Sequence, residues 1–101
     1  MRNKTYKLQK LEKQRKSILT DDLEHCIICK MPAQDIHEIY GGKNRKVSMI
    51  NNFCVPLCRN CHIRITNSEK DSIILKKLCQ KKFEENNSRE KFLSIIYRNY
   101  L

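Results

Sequence analysis

Four of the six cysteines form two close pairs, Cys26-Ile-Ile-Cys29 and Cys58-Arg-Asn-Cys61, and His62 follows the second pair directly. A Cys-x-x-Cys turn brings two sulfurs to one metal, and two such turns supply the four thiolates of a tetrahedral zinc site. Such a site is closed, so the spacing predicts a structural zinc and not a catalytic one. An iron–sulfur cluster is the alternative occupant of four thiolates. Three disulfides are the alternative use of six cysteines. The basic start of the chain has no apolar signal-peptide core, so a reducing, cytoplasmic setting is expected, where paired knuckles read as metal ligands. Cys54 and Cys79 lie in apolar runs without a cysteine partner and are expected in the core.

With the four thiolates assigned to zinc, His37, Glu38 and His62 are the remaining groups able to do chemistry. Ile36 to Tyr40 suits a short strand. Its alternation sets His37 and Ile39 on one face and Ile36, Glu38 and Tyr40 on the other. The zinc would tie this strand to the helix expected after Cys61, so a two-stranded ribbon lies over that helix and His62 can meet the His37-Glu38 pair. Imidazole nitrogen and carboxylate oxygen together make an open site for a divalent cation. A cation with open positions can take a phosphate oxygen while a neighbouring base activates water. His25, beside Cys26, is expected to be solvent-exposed, a substitute zinc ligand being the alternative.

These groups must be positioned by a chain of 101 residues with net charge +10, 40% hydrophobic and 32% charged. A chain of that size makes one domain with a thin core, and such domains rely on a staple, here the metal. No apolar run reaches the length of a membrane span. The excess of positive charge favours an anionic partner, most simply nucleic acid.

Residues 1–22 read as a basic arm, with seven Lys/Arg against Glu12 in the first nineteen positions and a helix over 5–19. Lys10 and Lys13 are expected phosphate contacts there. Residues 23–67 form the zinc-bound core. It holds the first knuckle, the 36–40 strand, a basic loop from Lys43 to Ser48, a second strand Phe53–Leu57, and a helix from Arg59 or Asn60 to Asn67. Lys43, Arg45, Lys46 and Arg64 are its expected nucleic-acid contacts. Residues 68–101 read as helical scaffold. Ser68 caps a helix reaching Asn86 that buries Ile74, Leu75, Leu78, Cys79 and Phe83. A last helix over 89–98 buries Phe92, Leu93, Ile96 and Tyr97. The fold class expected is α+β, a small zinc-stabilised core with a basic N-terminal helix and two C-terminal helices.

The series Cys-x-x-Cys, His37-Glu38-Ile39, Asn51-Asn52 and Pro56-Leu57-Cys58-Arg-Asn-Cys61-His62 resembles the HNH endonucleases of the ββα-metal fold. It is most similar in layout to short phage-encoded members with a four-cysteine zinc site, and the resemblance covers residues 23–67. The resemblance implies a catalytic divalent metal (Mg²⁺, Mn²⁺ or Zn²⁺), held by His62 and one of His37 or Glu38, that contacts the scissile phosphate. It implies that the other of the pair is the general base, and that Asn52, or else Asn51, braces the loop. The family pair is usually Asp-His or His-His, its second member the base. Glu38 in that place is a departure, since a carboxylate is the weaker base at neutral pH. His37 as ligand with Glu38 as base, the reverse, and a pair that binds metal but catalyses poorly all stay open. Asn67 stands where some relatives carry a further histidine.

The activity implied is hydrolysis of DNA phosphodiester bonds in duplex, nicked or branched DNA, in a phage-related setting. The competing classes are a non-catalytic zinc module that binds nucleic acid and a zinc-stabilised protein adaptor.

Overall fold

The computed structural model describes residues 6–101, so expectations that rest on Arg2 and Lys4 of the arm lie outside the described residues. The chain is α+β. Its elements are α1 (Tyr6–Lys13), β1 (Asp35–Glu38), a 3-10 turn (Gly42–Asn44), α2 (Arg45–Ile50), β2 (Cys54–Leu57), α3 (Arg59–Asn67), α4 (Glu69–Phe83) and α5 (Arg89–Ile96). β1 and β2 form an antiparallel ribbon with Asp35 opposite Leu57, His37 opposite Val55 and Glu38 opposite Cys54. β2 is buried on both faces, which is why Cys54-Val-Pro-Leu57 reads as a continuous apolar run. Among the described residues no helix is long and apolar enough to cross a membrane.

Each helix of the second half starts where its sequence offers a cap. Cys58 caps α3, its sulfur accepting from the Cys61 amide at 3.4 Å. The Ser68 hydroxyl accepts from the Asp71 amide at 3.2 Å to start α4, where Glu69 and Asp71 also suit the helix dipole. Ser88 does the same for α5, accepting from the Lys91 amide at 3.1 Å.

The core is an aromatic cluster that joins the ribbon to the C-terminal helices. Tyr40 packs edge-on against Phe53 and Phe92, with ring centroids 5.5 and 5.6 Å apart, and Phe53 packs on Phe83 at 5.5 Å. The Tyr40 hydroxyl donates to the Lys76 carbonyl at 2.7 Å, which fixes α4 against the end of β1. Cys54 and Cys79 are fully buried, as their apolar surroundings suggested.

Several elements depart from expectation. The helix of the arm stops at Lys13, because Arg15 turns inward and Ser17 forms an antiparallel bridge with Phe53. The Ile18 amide donates to the Asn52 carbonyl at 2.9 Å, so this stretch is held as extended chain. The strand expected over 36–40 is Asp35–Glu38. The basic loop expected from Lys43 to Ser48 is a 3-10 turn followed by α2. Fully buried Ser48 anchors that helix, donating to the Tyr40 carbonyl at 2.7 Å and accepting from the Tyr40 amide at 3.2 Å. α4 ends at Phe83 and buries Leu75, Cys79 and Gln80. Ile74 and Leu78, expected inside, are 51% and 52% exposed. α5 ends at Ile96, and Tyr97 leaves the core at a left-handed C-cap with φ of 64°.

Candidate metal centre and histidine pair

The four sulfurs of Cys26, Cys29, Cys58 and Cys61 all lie within 4.8 Å of one another, with Cys29 and Cys58 at 3.6 Å. A tetrahedron with Zn–S bonds of about 2.3 Å has sulfurs about 3.8 Å apart, so the cluster fits a zinc ion. Local turns make this possible. The Cys26 amide donates to the Met31 carbonyl at 2.7 Å and the Lys30 amide to the Cys26 carbonyl at 3.0 Å, with Lys30 left-handed at φ 69°. Burial pushes the Cys26 thiol up, but the backbone amides of Cys29, Cys58 and Ile28 outweigh it and bring it down to about 6. Cys61 is pushed up to about 12, first by burial and then by its three sulfur neighbours. Four thiolates can coexist here once a divalent cation balances them. His25 is exposed, hydrogen-bonded to Asp22 at 2.9 Å, and is not among the clustered ligands.

The knuckle also places His62. It sits in the first turn of α3, directly after a clustered cysteine, and its ring meets His37 of β1 edge to face with centroids 5.1 Å apart. Asp35, two positions before His37 and therefore on the same strand face, completes the group. Its Oδ2 pairs with His62 Nδ1 at 2.9 Å, while Arg59 donates from Nε to Oδ2 at 2.9 Å and from Nη2 to Oδ1 at 3.2 Å. Arg59, and then His62, hold the Asp35 carboxyl below the usual carboxylate range. The Asp35 contact occupies Nδ1 and leaves Nε2 as the His62 ring nitrogen open to a ligand.

His37 makes no hydrogen bond with its ring among the described residues. Burial, followed by the charge of His62, brings it down to about 4 against the opposing pull of Glu38, so it is neutral at physiological pH. The two imidazole rings thus meet beside the cysteine cluster, His37 with no ring hydrogen bond among the described residues and His62 with Nδ1 engaged by Asp35. Among the described residues the cysteine cluster is the group of three or more such ligands that can share one ion; the histidines make a pair. A pair leaves most of an octahedral shell to water and phosphate oxygens.

Glu38 does not join them. It points to the opposite face of the ribbon, where its Oε1 accepts from Arg15 Nη1 at 3.1 Å and Arg45 Nε at 3.0 Å. Arg45 also pairs with Glu12 of α1, and Arg15 donates to the Ile36 carbonyl at 3.1 Å. The expected meeting of the His37-Glu38 pair with His62 is therefore met by His37 alone. The cause is strand alternation, which sends adjacent side chains to opposite faces. Arg45, expected at phosphate, is a strut in this clasp.

Asn52 occupies a left-handed turn into β2 with φ of 63° and lines a crevice with Lys16, Ser17 and Asp21. The Asn51 amide donates to the Val47 carbonyl at 2.8 Å, and neither asparagine is hydrogen-bonded to His37 or His62. Lys10, Lys13, Lys43 and Lys46 are exposed, as is Arg64, whose nearest carboxylate is Asp71 at 3.8 Å. Sequence reasoning passed over Asp35, although its two-residue spacing from His37 was the signal. It also passed over Lys76, which lines an open groove of about 470 Å³ with His37, Asn67 and Ser72. Comparison with protein-family models, curated proteins and solved structures finds no match to the chain.

Proposed function

We propose that the chain is a metal-dependent endonuclease that hydrolyses DNA phosphodiester bonds. The observation that carries this reading is the convergence of His37 and His62, 5.1 Å apart, on an element pinned by the cysteine cluster and braced by Asp35. In this reading His62 Nε2 and a His37 nitrogen would hold one divalent cation, which would supply Lewis-acid stabilisation of the phosphate and lower the pKa of a bound water, whose proton would pass to solvent as it attacks. Asp35 orients His62 and raises its donor strength without touching the metal. Glu38, engaged by two guanidiniums, acts as a strut and not as the base. The net charge of +10 and exposed Lys10, Lys13, Lys43 and Lys46 favour the DNA backbone as the partner. The resemblance to HNH nucleases supports the same reading, including a phage-related origin.

A second reading is a zinc module that binds nucleic acid without cleaving it. It is favoured by the engagement of both nearby carboxylates, Glu38 by Arg15 and Arg45, and Asp35 by Arg59 and His62. Supercoiled plasmid incubated with zinc-loaded protein and added Mg²⁺, Mn²⁺ or Zn²⁺ separates the two. Nicking that disappears in His62→Ala, with zinc content and folding kept, supports the nuclease. Salt-sensitive binding without nicking under every metal supports the module.

A further inference from the structure

A groove lies beside the two histidines and opens directly onto one of them, His37. β1 and its exit form one wall, through His37 and Gly41, and the junction of α3 and α4 forms the other, through Thr66, Asn67, Ser72 and Lys76. At about 470 Å³ it has the size of a small-molecule pocket, with room for a nucleotide and none for a duplex. Its lining is mixed: beside the apolar Ile39 and Ile65 it offers an amide at Asn67, hydroxyls at Thr66 and Ser72, a carboxylate at Glu69 and an ammonium at Lys76.

Lys76 is held at this spot twice over. Its carbonyl accepts from the Tyr40 hydroxyl at 2.7 Å, and its ammonium lies 5.7 Å from the centre of the Tyr100 ring. It is near enough to His37 for its charge to oppose protonation of that ring. Gly41, on the opposite wall, has an ordinary φ of −85°, and a Cβ built there meets no atom within 4 Å. Nothing in the protein requires a glycine at that point, while a large side chain there would stand in the groove.

We propose that this groove receives one unpaired nucleotide of a nucleic-acid strand, with the phosphate next to the scissile one on Lys76 and the base edge on Asn67, Ser72 and Glu69. The inference rests on the nuclease reading for the word scissile, but the binding it describes stands apart from cleavage. Single unstacked bases are read through such polar edges and aromatic faces, and an imidazole can serve as the face. The groove then selects single-stranded, forked or flapped DNA over intact duplex, because only an unpaired nucleotide can enter.

The test uses zinc-loaded protein in Ca²⁺ buffer and fluorescein-labelled DNA in three forms: single-stranded, forked and blunt duplex. Fluorescence anisotropy is titrated with salt for wild type, Lys76→Met and Gly41→Trp. Wild type is expected to bind forked and single-stranded DNA more tightly than duplex. Both variants should lose that preference while binding duplex nearly as wild type does. Lys76→Met should also lower the single-strand salt slope by about 0.7, the value of one phosphate contact. Unchanged affinity of both variants for unpaired DNA overturns the groove assignment. Cleavage in Mg²⁺ or Mn²⁺ separates this outcome from a failure of the nuclease reading. Groove-dependent binding with no cleavage under any metal removes the nuclease and leaves the groove. Cleavage by wild type, with both variants binding unpaired DNA as tightly as wild type does, removes the groove and leaves the nuclease.

Discussion

His62 Nδ1 lies 2.9 Å from Asp35 Oδ2, and this contact decides which imidazole nitrogen is free. It also joins the first turn of α3 to the first residue of β1, so the position of His62 is set by the ribbon as well as by the knuckle. Asp35→Asn should leave zinc binding by the four cysteines unchanged but weaken the cation proposed for the histidine pair by about 10- to 100-fold, the usual effect of losing such a partner. Mn²⁺ titration followed by electron paramagnetic resonance reads this directly. Arg59→Gln, which leaves the His62 contact in place, should change it far less.

The cysteine cluster is expected to carry the fold. A structural zinc supplies about 10–16 kcal/mol of apparent binding free energy, as much as the whole stability of a typical domain. Chelation, or Cys58→Ser, should abolish the cooperative thermal transition and the helical circular dichroism together. A chelated protein that still melts cooperatively near the wild-type temperature would contradict this.

Glu38 tests the division of labour between the two ribbon faces. Its side chain is 14% exposed and serves two guanidiniums, so Glu38→Gln should cost about 1–3 kcal/mol of stability. Denaturant titration measures that loss, and hydrogen exchange should place it in α1 and α2, the elements the clasp joins. Metal-dependent cleavage should persist at temperatures where the variant is folded. A folded Glu38→Gln with no cleavage would return Glu38 to the role of base.

How far these features were legible in the sequence depends on how local their causes are. The zinc ligands were legible because each pair is one turn and the spacing is itself the geometry. The Ser68 cap was legible for the same reason. Strand alternation separated His37 from Glu38 from the outset, but Asp35 was passed over because it lies one residue before the strand expected from Ile36. The clasp on Glu38 was not legible, because Arg15 and Arg45 reach it from 23 residues before and 7 residues after. α2 was hidden behind its charges: Lys43, Arg45 and Lys46 read as a loop, while its anchor is the buried Ser48 hydroxyl on Tyr40. In α4 the apolar stripe was visible, but which edge of it faces inward is set by packing, and Leu75 and Cys79 won over Ile74 and Leu78.

Acid should reveal His37 through stability. Its pKa falls to about 4 in the folded protein, chiefly by burial, while an unfolded chain has the ordinary value near 6.5. Between those values the unfolded state binds more protons, so stability rises with pH across that window. The contribution is complete above about pH 6.5 and is lost as pH falls through about 4. Denaturant titrations without added Mn²⁺ or Mg²⁺ should show a flatter pH dependence in His37→Asn than in wild type. Zinc–thiolate protonation is common to both proteins and cancels in the comparison. Identical slopes would contradict the burial of a neutral His37.

The central claim is that His37 and His62 hold one catalytic cation between them, and the rate of plasmid nicking as a function of Mn²⁺ concentration tests it most directly. Zinc-loaded wild type should nick with a saturating dependence on Mn²⁺. His37→Ala should need at least about tenfold more Mn²⁺ for half-maximal rate, and His62→Ala should lose the activity, each with its zinc retained. Wild type that never nicks, or variants whose Mn²⁺ curves overlay that of wild type, would contradict the account.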